Sequence, residues 1–286
     1  MSAVPALTTR EDRQRARRRR AIRSGLIATA STVIVIGGLA TFVLTSPGWP
    51  SVHRFFLNGH WFNVSFSSVL SGFWLDVRMF LICEVGALIL GLVIALIRTV
   101  RVPALLPVRI VAVVYVDVMR GIPTLLWVYL VGFGVPTLNL SGLPTSPIVL
   151  GEIALGMCYA AYVSEVLRAG IQSVHPSQGA AALALGLTPA QALRHVIVPQ
   201  GVRRVIPPLL NDFIALQKDV ALVSIIGPQE AFRVAQIFAA QYFNYTPLLA
   251  AAALYLCVTI PMTRLTDYLQ GRSLRERGAV LALGPR

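Results

Sequence analysis

Val85-Gly86-Ala87-Leu88-Ile89-Leu90-Gly91-Leu92-Val93-Ile94-Ala95-Leu96-Ile97 runs for thirteen residues without a single charge, hydroxyl or amide. A strand of a membrane barrel would alternate apolar with polar positions over about ten residues, so an unbroken run argues against it. An α-helix closes its backbone hydrogen bonds within one segment and can carry such a run through lipid. Comparable apolar segments lie at 25–44, 73–97, 109–133, 146–167, 205–227 and 246–263. The first is twenty uncharged residues from Gly25 to Leu44, about the number a helix needs to cross a bilayer core. The fifth is the least uniform, because it holds Asp212, Lys218, Asp219 and the pair Pro207-Pro208. The expected fold class is an all-α polytopic membrane protein with about six transmembrane helices. The composition agrees: of 286 residues, 56% are hydrophobic and 13% charged, too apolar for a disordered or fibrous chain.

The charges are sorted along the chain. Eight arginines fall between Arg10 and Arg23 against Glu11 and Asp12, so 1–24 reads as a basic tail and 25–45 as an anchor. A cleavable leader is the rival, but its apolar region would be shorter and no small-x-small site precedes Ser46-Pro47-Gly48. With the N-terminus inside, 20 of the 25 Lys and Arg residues fall on the cytoplasmic side. The positive-inside rule then places both termini in the cytoplasm, 270–286 being a second basic tail. Anionic lipid headgroups account for the net charge of +13, and no nucleic-acid partner is needed. Cys83, Cys158 and Cys257 stand far apart in apolar stretches and read as buried free thiols.

Between the fourth and fifth spans, Pro176 to Pro199 reads as a built device. Ala180 to Leu185 are helix formers, and Gly186 can take the left-handed conformation that ends a helix. Thr188, Pro189 and Gln191 then spell a capping box with proline at the first helical position. A second short helix begins there and is expected to end before Pro199. The product is a helix, a bend and a helix, suited either to docking in a partner's groove or to service as a plain connector. This loop resembles the signature of ABC-importer permease subunits, Glu-Ala-Ala, three residues, Gly, nine residues, Ile, one residue, Leu-Pro. Ala181-Ala182 and Gly186 match, Val196 stands at the Ile position, and Val198-Pro199 stands at the Leu-Pro position; Ala180 replaces the glutamate.

Tyr115 to Pro123, Ala161 to Val174 and Pro207 to Gly227 are similar to segments of the polar amino acid (histidine, glutamine and glutamate type) permeases, with Val220 and Ala221 in place of two hydroxyl residues. The resemblance implies a five-helix type I importer core over 68–269, with the 25–45 anchor as an extra N-terminal helix, in a prokaryotic inner membrane. It implies a coupling loop at 171–199, where Ala180, Ala181, Ala182, Gly186, Leu193, Arg194, His195 and Pro199 meet an ATPase subunit. It also implies a second permease chain, identical or homologous, and an extracytoplasmic solute-binding protein. ATP and Mg²⁺ belong to the ATPase. The only lysine, Lys218, follows Gln217, so this chain has no phosphate loop of the Gly-Lys-Ser/Thr kind. No catalytic set and no metal site is read among His53, His60, His175 and His195, and no cofactor is assigned to this chain.

Three charges remain as candidates for the solute path. Arg120 lies about 11 residues past Arg109, some 16 Å along a helix, where only an interior position with a partner or water is tolerable. It either pairs with Asp117 or another acid to fix packing or faces the path. Lys218 and Asp219 offer both signs side by side and either neutralise one another or meet a zwitterion. Glu84, Glu152 and Glu165 read as interface charges or packing pairs, and Arg168 as an anchor in headgroups. A secondary transporter with interrupted helices is the competing reading, weakened by the lack of a repeated half.

Overall fold

The computed structural model describes the backbone of residues 10–99 and 102–282, and the side chains of residues 22–99 and 102–271. Residues 1–9 of the basic tail, Arg101 and residues 283–286 of the second tail lie outside it, as do the side chains of Arg10 to Arg20. Every described element is helical. The chain divides after Leu57 into two compact units.

The first unit holds α1 (Arg10–Leu44) and α2 (Trp49–Phe56). From Ile22 to Leu44 every side chain of α1 is exposed, and this stretch is long and apolar enough to cross a membrane. Apolar residues such as Ile34 and Phe42 on all sides of a helix suit lipid, not water. The Ser46-Pro47-Gly48 turn ends the helix, and Pro50 opens α2, a short helix that the apolar pattern did not reveal.

The second unit contains α3 (Gly59–Thr99), α4 (Leu106–Gly121), α5 (Thr124–Thr137), α6 (Pro147–Gln172), α7 (Pro176–Ala184), α8 (Pro189–Ala192), α9 (Val198–Asp219), α10 (Ala231–Tyr242) and α11 (Thr246–Ala282). Stretches of α3, α6 and α11 are long and apolar enough to span a membrane, and α5 is a shorter apolar helix. Two expected spans are built differently. The segment 109–133 is broken at Ile122-Pro123, where Ile122 is extended at φ −106° and ψ 135°; proline bars its predecessor from the helical region. The segment 205–227 starts earlier, at Val198, carries Pro207-Pro208 inside α9, and finishes as a tight 3₁₀ stretch, Val220–Ile226.

Helix α6 is the hub. Its buried Leu150, Ala154, Leu155, Cys158, Ala161 and Val163 form one cluster with Met79, Cys83 and Ala87 of α3, Val116 of α4, Val128 of α5 and Leu216 of α9. Membrane helices gain little hydrophobic drive against lipid tails and associate by close packing of small residues. Gly151 shows this limit, because a Cβ there would stand 2.3 Å from Val223 Cγ1. Arg98 at the end of α3 ties to α6 by an ion pair with Glu165, Nη1 to Oε2 at 2.8 Å, and Arg168 pairs with the same carboxylate. Arg168 is thus held by the protein, not only by headgroups. Cys83 and Cys158 are buried free thiols, whereas Cys257 is exposed: α11 turns that side away from the core.

Candidate functional site

The segment after α6 has the local geometry its residues dictate. His175 caps α7, its Nδ1 accepting from the Ser177 N–H at 3.2 Å. The helix ends in a paired C-terminal motif: the Gly186 N–H donates to Leu183 O at 3.0 Å and the Leu187 N–H to Ala182 O at 3.2 Å. This closure requires a left-handed residue at the bend, and Gly186 supplies it with φ +83°. Thr188 Oγ1 accepts from the Gln191 N–H at 3.3 Å while Gln191 Oε1 accepts from the Thr188 N–H at 2.9 Å. That reciprocal box opens α8, as its residues predict.

The second limb does not stop before Pro199. Leu193–Ile197 widens into a π-helical turn in which the Val198 N–H reaches Leu193 O, five residues back. Pro199 has no N–H to offer and its ring would crowd the carbonyl four residues earlier. The inserted residue lets the chain remain helical and run directly into α9.

Ala182 and Ala192 are buried against the elbow's inner side, while Ala180, Ala181, Gly186, Leu193, Arg194, His195 and Pro199 are exposed. Leu185, at the tip, is 85% exposed, and Leu183 and Leu193 are each 49% exposed. Leu183 and Leu185 were not singled out in the sequence because they passed as helix formers; their exposure is the signal. The base is fastened by Arg204, whose Nη1 donates to the Ser173 carbonyl and, at 3.1 Å, to Ser173 Oγ.

The charged residues gather along one side of α6. Arg120, in the last turn of α4, sits 5.6 Å over the Tyr162 ring, and no ion pair joins it to Asp117 among the described residues. Tyr162 and Tyr159 share a face of α6 three residues apart, with ring centroids 5.7 Å apart. The Tyr159 hydroxyl donates to Asp219 Oδ2 at 2.9 Å. Arg120 and Asp219 are therefore brought together through two tyrosines, not by direct contact. Lys218 is exposed and forms no ion pair with Asp219 among the described residues. Asp212, noted in the sequence only as a charge in a span, has one oxygen, Oδ2, buried without a hydrogen-bond partner. An aromatic-lined row bearing both charge signs can bind a small zwitterion; it holds no arrangement of nucleophile and base.

Helices long and apolar enough to span a membrane, with a protruding capped elbow between them, define a polytopic helical membrane protein. The chain belongs to the family of binding-protein-dependent transport system inner membrane components, whose model matches residues 87–275. It is 31% identical over 209 residues to a probable glutamine ABC transporter permease protein, GlnM, of Bacillus subtilis, covering 73% of this chain and 94% of the relative. It is 33% identical over 211 residues to the glutamate/aspartate import permease protein GltK of Escherichia coli, covering 72% and 93%. Among solved structures, an amino acid ABC transporter crystallised with histidines matches at 33% identity and TM-score 0.65, over 71% of this chain and 93% of that one. The MetNI methionine ABC transporter, at 15% identity, TM-score 0.57 and 71% and 94% coverage, shares the fold.

Proposed function

We propose that this chain is the permease subunit of an ATP-driven importer of polar amino acids, with residues 171–199 as the seat of a separate ATPase. The observation that carries the reading is the elbow itself. Two caps, a left-handed glycine and the Arg204 tether hold a rigid projection whose tip, Leu185, is 85% exposed. A leucine so displayed on a preorganised knob gains most by entering a groove. ATP and Mg²⁺ are held by the ATPase, and hydrolysis there moves the elbow. Outside, a solute-binding protein delivers the cargo; both termini lie in the cytoplasm, a placement that the distribution of arginine supports.

A second permease core, identical or related, faces this one across the path, and the exposed Arg120 and Lys218 look into it. A zwitterionic amino acid needs an acceptor for its ammonium and a donor for its carboxylate, and charge-assisted bonds of this kind are the stronger ones. Asp219 has one oxygen engaged by Tyr159 and meets the ammonium with the other. Lys218 or Arg120 meets the carboxylate. The relatives named for glutamine, glutamate/aspartate and histidine-bound transporters support the class of cargo.

Asp219→Asn and Lys218→Met test the path. Complex yield, basal ATPase rate and uptake are compared with the parent. Assembled complexes that keep their ATPase rate but fail in uptake are expected; lost assembly, or full uptake in both variants, removes these residues from the path.

A further inference from the structure

Away from both sites, two carboxyl groups meet in the interior. Asp76 of α3 is 2% exposed and Glu230, the residue that caps α10, is 0% exposed. Tyr255 of α11 bridges them. Its hydroxyl stands 2.8 Å from Asp76 Oδ2 and 3.3 Å from Glu230 Oε2. On the helices that carry the pair, Arg78 of α3 and Arg233 of α10 have exposed side chains, and no ion pair among the described residues includes either carboxyl.

We propose that Asp76, Glu230 and Tyr255 form a buried proton-binding site that holds one proton between the two carboxyls and thereby seats α10 on α3 and α11. Two like charges that share one hydroxyl in the buried interior cannot both persist at little cost. The partners decide which group keeps the proton. Glu230 receives the Phe232 N–H at Oε2, 2.6 Å, and the Arg233 N–H at Oε1, 2.7 Å. It sits at the positive end of α10 and is the better carboxylate. Asp76 Oδ2 has Tyr255 and a 3.3 Å bond from the Ala231 N–H, but Oδ1 is buried with no partner at all. That orphaned oxygen is a second, independent mark of a neutral Asp76, because stranding part of a charged carboxylate costs far more than stranding part of a neutral carboxyl. Tyr255 then donates to Asp76 Oδ2, and Glu230 keeps the two backbone donors of α10.

The site is tightly walled where α3 meets the start of α10. A Cβ on Gly72, one turn before Asp76, would stand 2.8 Å from both Ala231 N and Glu230 C; α3 and the start of α10 touch backbone to backbone. Next to that contact opens a cavity of about 550 Å³ walled by Ser67, Ser68, Ser71, Gly72 and Gln229. Its polar lining reaches Gln229, the chain neighbour of Glu230. Burial pushes Glu230 above the ordinary carboxylate range, against the pull of its two backbone donors. Because the pair keeps the proton that sits on Asp76, the folded chain binds one proton more than the unfolded chain once pH exceeds the ordinary carboxylate value. Stability is complete below that value and is lost as pH rises, with the folded-to-unfolded ratio falling about tenfold per pH unit until the folded pair titrates.

The full chain in its transporter complex, in lipid nanodiscs, provides the test. Melting temperature is followed from about pH 5 to about pH 9, the range over which such linkage acts, alongside the infrared C=O band of protonated carboxyl groups. Asp76→Asn, which carries its hydrogens permanently, is expected to fold, to lose part of that band and to flatten the alkaline decline in melting temperature. Glu230→Gln, with one acceptor left for the α10 cap, should lose the same band. An unchanged band, or equal pH slopes in the parent and Asp76→Asn, overturns the proposal. So does failure of both variants to assemble at every pH, which would mean that both carboxyls act as fixed charges.

Discussion

Gly186→Val isolates the bend from everything around it. A Cβ built on Gly186 finds no atom within 4 Å, so the valine meets no clash and the whole penalty is backbone conformation. At φ +83° an L-residue is disfavoured by roughly 1–2 kcal/mol, and a β-branched one by at least the upper part of that range. That is about a 5- to 30-fold loss in the population holding the closed bend. The two bonds from the Gly186 and Leu187 N–H groups open with it, and α7 and α8 lose their mutual angle. Co-purification of the ATPase and amino acid uptake are expected to fall together by a comparable factor, while helix content and the melting of the bundle stay at parental values. Gly186→Asn gives the control, since asparagine tolerates the left-handed region better than other side chains; it should retain most of the activity that valine loses. Parental uptake in the valine variant, or equal loss in asparagine and valine, refutes the coupling role of the bend.

Two further outcomes are expected. A reporter joined after His195 should be cytoplasmic and one joined after Leu140 outside, as judged by impermeant labelling; the opposite pattern overturns the topology. Gly151→Ala should lower the melting temperature of the bundle by the equivalent of roughly 1–3 kcal/mol of overpacking against Val223 Cγ1 at 2.3 Å, and Val223→Ala should restore much of it in the double variant.

What could be read in the residues and what could not divides along physical lines. Local rules spoke clearly at the elbow: Gly186 takes its left-handed turn, and Thr188 with Gln191 closes its box. Apolar runs located α1, α3, α6 and α11 because spanning lipid constrains length and composition alone. The break at Ile122-Pro123 escaped the span reading because its flanks are continuous in hydrophobicity; the proline marked it, and continuity masked it. Helix α10 escaped because its cap, Glu230, works on backbone groups in a short stretch that is neither a span nor visibly periodic. The π turn before Pro199 could not be foreseen from the proline, which announces a stop equally well. At the candidate path, Arg120 and Asp219 were visible as expensive charges, whereas Tyr159 and Tyr162, which join them, looked like ordinary aromatic content of a span. Asp76 sat unremarked in an apolar segment, since its partners lie more than 150 residues onward in the chain.

In the proposed mechanism, the unbroken passage from the π turn into α9 makes the elbow one end of a lever. The twenty-two residues Val198–Asp219 span about 33 Å at 1.5 Å per residue. Pro199 stands at one end and Lys218-Asp219 at the other, so a tilt of about 5° at the elbow would swing the far end by roughly 3 Å over that length. This is the scale on which a bound zwitterion gains or loses a hydrogen bond. Pro207 and Pro208, which withhold two backbone donors midway along the arm, set its stiffness, and with it how much of a push at Leu185 arrives at the charges.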